Sequence, residues 1–364
     1  MSAIAGVREQ RRFRSVRALR AGPVSVRFYP RTLSVGAALA LLLVAAAAVH
    51  LAHGGTQLPY HQVLAALFGD ASQPKVHLAV TEFRAPRTVA AVVAGACLAA
   101  AGAITQAVAR NPLASPDVLG VTAGASLGAV SVLVVAGGGG AGLSGLAAAL
   151  GMPLAAFAAG VLSGVAVYLL AYRGGLDSYR LVLVGLGING FAASVTTWLL
   201  TLGDVTNAAQ ALTWMAGSLN GKDWPLVGPM AAAAAILLGG AVLCGRSLLL
   251  AGLGEDTAVG LGVRAGAVRV TALSLAVLLA SVGTVVAGPL VFVALASPQI
   301  ARMLTGSAVP PVAVSGLTGA VFVLLADAFS ANALHVPLPV GVATAVVGAP
   351  YLIYLILRYQ RRLT

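Results

Sequence analysis

Eight stretches of this chain run for more than twenty residues without an Asp, Glu, Lys or Arg: 32–69, 88–109, 118–172, 181–203, 224–245, 270–301, 303–326 and 328–357. A helix needs about 20 apolar residues to cross the hydrocarbon core of a bilayer. Charged residues are 9% of the chain, where soluble domains carry about 25%, so a water-soluble fold is excluded. Hydrophobic residues make up 59%, yet only 5% are aromatic and 44 are glycines. The apolar mass is therefore Ala, Val and Leu, which lets membrane helices approach backbone to backbone. The expected fold class is all-α, a polytopic membrane protein.

The window at 118–172 is long enough for two spans, and Gly137 to Gly140 supply the break. Gly288 and Pro289 interrupt the window at 270–301 and leave a short helix after them. The spacing predicts ten helices, at 33–53, 88–108, 117–136, 146–171, 181–202, 226–245, 267–287, 290–304, 311–330 and 339–357. Residues 33–357 then form one transmembrane domain, flanked by a basic segment at 1–32 and a basic tail at 358–364.

Basic loops are retained in the cytoplasm. With the N-terminus inside, eighteen Lys and Arg fall on the cytoplasmic side, including eight between Arg8 and Arg31. Only Lys75, Arg84, Arg87 and Lys222 fall outside. Both termini are expected in the cytoplasm. The arginine tract is a topology anchor against anionic lipid. It is not a cleavable signal, since the run at 33–49 exceeds a signal core and lacks a small-residue cleavage site before His50. The net charge of +12 does not indicate nucleic acid, because long charge-free stretches separate the basic residues.

Several motifs resemble chemistry that their context refuses. Gly185, Gly187 and Gly190 match a dinucleotide fingerprint, but an apolar helix continues through Leu202 where a βαβ unit would be needed. Gly217 to Lys222 resembles a phosphate loop, yet Asp223 stands where Ser or Thr is required. Cys97 and Cys244 lie in apolar runs as packing residues. His50, His53, His61 and His77 fall in or beside the first outer loop without carboxylates or cysteines at ligand spacing, so no metal site is expected.

Three segments break membrane grammar. The first has Arg84, Pro86 and Arg87 before a span and Gln106, Arg110, Asn111, Pro112, Leu113, Ser115 and Pro116 after it. Two prolines flank the polar turn after the span and force a tight, rigid connection between two helices. The second is the loop Gly254, Glu255, Asp256, Thr257, Ala258, Val259, Gly260, Leu261, Gly262, Val263. It is too polar to span and suits a short amphipathic helix docking a soluble partner, with Ala258 and Leu261 as apolar contacts. The third runs from Gly288 through Pro298, Gln299, Arg302 and Gly306 to Asp327, Pro339, Val340, Gly341 and Pro350. Asp327 is the only acid well inside an apolar region, which marks it as functional by default, although its place near the outer end also allows it to reach the interface or cap a helix.

Together these segments resemble the iron-siderophore and vitamin B12 permease family of ABC importers, from Leu58 to Tyr354. Within it, Thr81 with Glu82, Arg84 and Arg87, the Asn111 to Gly120 segment, Gly174 with Asp177 and Arg180, and Ala216 to Gly221 look most like the second permease subunit of ferric enterobactin importers. The resemblance implies a type II importer permease in the inner membrane, paired with a second homologous permease as a heterodimer. It implies two cytoplasmic ATPases that hold ATP and magnesium, and an extracytoplasmic siderophore-binding protein. This chain itself would bind no cofactor, hydrolyse nothing and carry a ferric siderophore. Arg84 and Arg87 would dock the binding protein, Asn111, Pro112 and Leu113 would lie by the inner gate, and Gly254, Glu255, Asp256, Ala258, Leu261 and Gly262 would contact the ATPase. Two departures stand out: the family usually has His at Gln299, and often Glu at Leu338, although the enterobactin-type subunit also lacks that Glu. A homodimeric cobalamin or haem permease and an ion-coupled secondary transporter using Asp327 are the alternatives; an intramembrane enzyme is the weaker reading.

Overall fold

The computed structural model describes residues 17–21, 24–54, 56–70, 72–135, 146–172, 178–251, 258, 260–262, 264–332 and 338–360. All ten expected spans coincide with helices. These are α1 (Pro30–Ala52), α4 (Ala85–Ala109), α5 (Val121–Val135), α6 (Leu146–Ala171), α7 (Ser178–Leu202), α9 (Trp224–Ala251), α10 (Ala265–Ala287), α11 (Val293–Thr305), α12 (Val312–Asn332) and α13 (Val340–Gln360). Among the described residues, seven helices are long and apolar enough to cross a bilayer unaided. At 13 residues, α11 reaches only about 20 Å and cannot span alone. The expected glycine break at 137–140 and the loop residues Gly254, Glu255 and Asp256 lie outside the described residues.

Three additions were not expected. Helices α2 (Tyr60–Leu67) and α8 (Val205–Met215) are too short to span. The Arg84–Pro86 segment is helical: α3 (Pro74–Leu78) runs through a π turn at Ala79–Arg84 directly into α4. The Ala85 amide reaches back five residues to the Val80 carbonyl. That shifted ladder places Pro86, which has no amide to donate, in the first turn of α4 without breaking the rod. Two small antiparallel pairings depart from the helical pattern: β1 (Arg17–Ala21) with β2 (Val24–Phe28), and β3 (His53–Gly54) with β4 (Thr56–Gln57).

Helix α4 is the hub, packed against α9, α10, α11 and α12. Ala90, Ala91, Ala94, Cys97, Ala99, Ala100, Ala101 and Ala103 are fully buried along it. So many neighbours fit because their backbones meet the hub directly. A Cβ on Gly102 would stand 1.7 Å from the Ala294 carbonyl oxygen of α11, and Gly95 is in the same relation to Gly319 of α12. Gly185, from the false dinucleotide fingerprint, has this packing role: its Cα lies against the Val118 carbonyl, while Gly187 and Gly190 meet nothing within 4 Å.

Non-helical backbone converges at one point of the bundle. The end of α8, the α10–α11 break and the start of α13 bring Gly217, Gly288 and Gly341 together. The Ser218 amide donates to the Ala287 carbonyl at 2.8 Å, and the Gly341 amide to the Gly217 carbonyl at 3.2 Å. Irregular backbone is tolerated at membrane depth when protein satisfies it in this way. Gly217 and Gly288 both have positive φ, a conformation that side chains resist.

Candidate functional site

At one end of the bundle, three helices share a polar cluster. Its anchor is Asp327 on α12, which is not at an interface and caps nothing: it is 1% exposed. Arg87, in the first turn of α4, holds it as a fork, Nε to Oδ2 at 2.7 Å and Nη2 to Oδ1 at 2.9 Å. His50 of α1 places Nε2 2.8 Å from the same Oδ2 and Nδ1 2.8 Å from the Thr88 hydroxyl. That hydroxyl also lies 2.8 Å from the Arg84 carbonyl and donates to it. The Thr88 hydroxyl thus bridges the His50 ring of α1 and the Arg84 carbonyl. His50 does not belong with the loop histidines: it lies in the last turn of α1 and is buried.

Arg84 is turned inward as well. Its Nη1 donates to the Leu51 and Ala52 carbonyls at 2.8 and 3.0 Å, satisfying the end of α1. Beside it, the Trp224 indole donates to the Thr81 carbonyl and fixes the π turn to α9. Glu82 and Phe83 of that turn are exposed. Burial lowers the Lys222 ammonium to about 8, with Asp223 opposing the shift. The Asp70 carboxyl is lowered by the Ser72 amide that donates to it.

At the opposite end, α4 closes on Arg110 in the left-handed conformation. The Leu113 amide then donates to the Asn111 side chain at 2.9 Å, folding Asn111, Pro112 and Leu113 into a tight turn. Gln299 has a clear part here. Its Nε2 donates to Gln106 Oε1 at 2.5 Å and to the Pro112 carbonyl at 3.2 Å, while Gln106 donates to the Leu295 carbonyl. One buried amide thereby ties α11 to both α4 and the turn. The helical turn that follows, Pro116–Leu119, is held by Asn189 of α7, which donates to the Asp117 carbonyl at 2.6 Å.

Replacing Gln299 by Ala should lower stability by about 1–3 kcal/mol, because the Gln106 and Pro112 oxygens lose a buried donor. Gln299→His keeps an N–H and should recover part of it. Melting of the purified protein in detergent checks both, and an unchanged Ala variant would contradict the bridge.

Of the loop expected to meet a soluble partner, Ala258 is buried, while Leu261 is 57% exposed and Gly262 has φ of +77°. Among the described residues no three His, Cys, Asp or Glu side chains come together in a way that could hold a metal.

The arrangement is a helical hub with broken helices joined backbone to backbone and a buried ion cluster at one end. A solved inward-facing metal-chelate type ABC transporter has the same fold, with a TM-score of 0.76 at 24% identity over 90% of this chain and 99% of that one. The chain belongs to the FecCD transport family, whose model matches residues 40–358. It is 39% identical over 328 residues to the ferric enterobactin transport system permease protein FepG of Escherichia coli K12, covering 88% of this chain and 96% of that protein. The achromobactin transport system permease protein CbrC of Dickeya dadantii is 37% identical over 88% of this chain and 91% of its own length.

Proposed function

We propose that this chain is one permease subunit of an ABC importer that carries a ferric siderophore, of the catecholate type, across the inner membrane into the cytoplasm. The observation that carries this reading is the near full-length likeness to the ferric enterobactin permease. The substrate would pass between this chain and a second, homologous permease. An extracytoplasmic binding protein would deliver it to the end that holds Arg84 and Arg87, and both termini would lie on the opposite, cytoplasmic side.

Arg87 is the better docking residue of the two. Its side chain is 29% exposed, and the fork to Asp327 uses Nε and Nη2, leaving Nη1 for a partner carboxylate. At the cytoplasmic end, the Asn111–Leu113 turn would form part of the gate, and the segment around Ala258 and Leu261 would transmit closure of two ATPase subunits holding ATP and magnesium. An ion-coupled mechanism finds less support, since Asp327, the coupling carboxylate it would use, is already engaged by Arg87 and His50.

Changing Glu255 and Asp256 to Lys should abolish transport while leaving the chain inserted, since the charge of the proposed ATPase-coupling segment is reversed. Co-purification of the ATPase with the variant, together with iron uptake by whole cells, is the test. Unchanged association and uptake would remove the coupling assignment.

A further inference from the structure

We propose that Asp327 and His50 are positioning residues for Arg87: they hold its guanidinium in one orientation, so that its outward edge is presented to a carboxylate of the docking binding protein. This rests on the docking reading above and adds to it the buried machinery on which docking depends. Asp327, at 1% exposure, has no outward surface of its own, so it cannot touch a partner directly. Both carboxylate oxygens grip the guanidinium, at 2.7 and 2.9 Å. A two-point fork fixes the plane of the group as well as its position. Among the described residues, Nη1 of Arg87 makes no hydrogen bond and points away from this fork by the geometry of the group.

His50 secures the other side of the arrangement. It shares Oδ2 with Arg87 and reaches Thr88, one residue along α4. The carboxylate is therefore pinned between α1 and α4 and cannot swing out with the arginine. An arginine side chain carries about 2 kcal/mol of rotamer entropy. Here that freedom is surrendered during folding, so less is lost when a partner binds.

Two effects of Asp327 on docking oppose each other, and their signs separate this inference from simple charge balance. Its negative charge partly cancels Arg87, so a purely electrostatic role predicts that Asp327→Asn tightens docking. If Asp327 positions Arg87, the same change frees the guanidinium to turn and weakens docking, by about tenfold. The test uses the assembled importer in detergent or nanodiscs, with the purified binding protein that stimulates its ATP hydrolysis as the probe. Affinities are measured for wild type, Asp327→Asn, Arg87→Ala and the double variant.

The expected result is weaker binding in each single variant, with the double variant no weaker than Arg87→Ala alone, because Asp327 acts only through Arg87. Additive losses, or tighter binding by Asp327→Asn, would overturn the positioning role. If Arg87→Ala binds normally, the docking reading itself fails, which is a separate outcome. Should Asp327→Asn fail to assemble, Asp327→Glu serves instead. It keeps the charge and displaces the fork by one methylene, so weakened docking supports positioning and unaltered docking contradicts it.

Discussion

Replacing Asp327 by alanine should lower the stability of the protein by about 3 kcal/mol, the low end of what breaking a buried ion pair costs. The low end applies because the Arg87 side chain is partly exposed, at 29%, and can recover some hydration, whereas that of Asp327 is buried. His50 loses the partner of Nε2 in the same step and is buried. Three helices, α1, α4 and α12, meet at this carboxylate, so the loss should appear as a lower melting temperature and easier proteolysis near residues 50, 87 and 327. Removing Arg87 in addition should add little, since the pair is already broken. Melting curves of the single and double variants in detergent measure this. An Asp327→Ala variant as stable as wild type would mean that the cluster contributes nothing to the fold. Charge reversal at Arg87 should be avoided as a docking test, because Arg87→Glu sets a second carboxylate against buried Asp327.

The second large effect is expected at the hub. Gly102→Val should yield no folded protein. Even the first carbon of a side chain would lie 1.7 Å from the Ala294 carbonyl oxygen, 2.6 Å from its carbon and 3.0 Å from its Cα. All three are backbone atoms of α11, so no rotamer change relieves the clash and the helices must separate. The control is Gly239→Ala on α9, where nothing lies within 4 Å. It should change stability by no more than about 1 kcal/mol, in the direction of better helix propensity. Yield of monodisperse protein from membranes reads both, and a well-behaved Gly102→Val variant would contradict the close packing of α4 on α11.

The spans were legible in the sequence because a membrane helix needs a long charge-free run, and each of the ten expected ones coincides with a helix. Helices α2 and α8 were not, since eight and eleven residues are too short to cross a bilayer, and α2 lies inside the 32–69 window already assigned to α1. The straight passage from α3 into α4 was hidden by Pro86, which normally marks a helix start and here sits behind a π turn. In the cluster at Asp327, the ingredients could be read one at a time. An acid inside an apolar stretch needs a partner, and Arg87 breaks the positive-inside pattern. Nothing local, however, shows that residues 240 apart in sequence adjoin, or that His50, apparently one of four loop histidines, belongs with them. Gln299 stood out as a departure from the family pattern, but its role could not be read: its two acceptors, Gln106 and Pro112, come together only when α11 packs on α4.

The central claim is that this chain is the membrane path of an ATP-driven importer of ferric siderophores. It is tested most directly in proteoliposomes containing the chain with its partner permease and ATPase, supplied with a binding protein loaded with a ferric catecholate siderophore. The account predicts that labelled iron accumulates only when ATP is present on the ATPase side, and that collapsing proton and sodium gradients leaves the rate unchanged. Accumulation by vesicles holding this chain alone, driven by an ion gradient and abolished by an uncoupler, would contradict it.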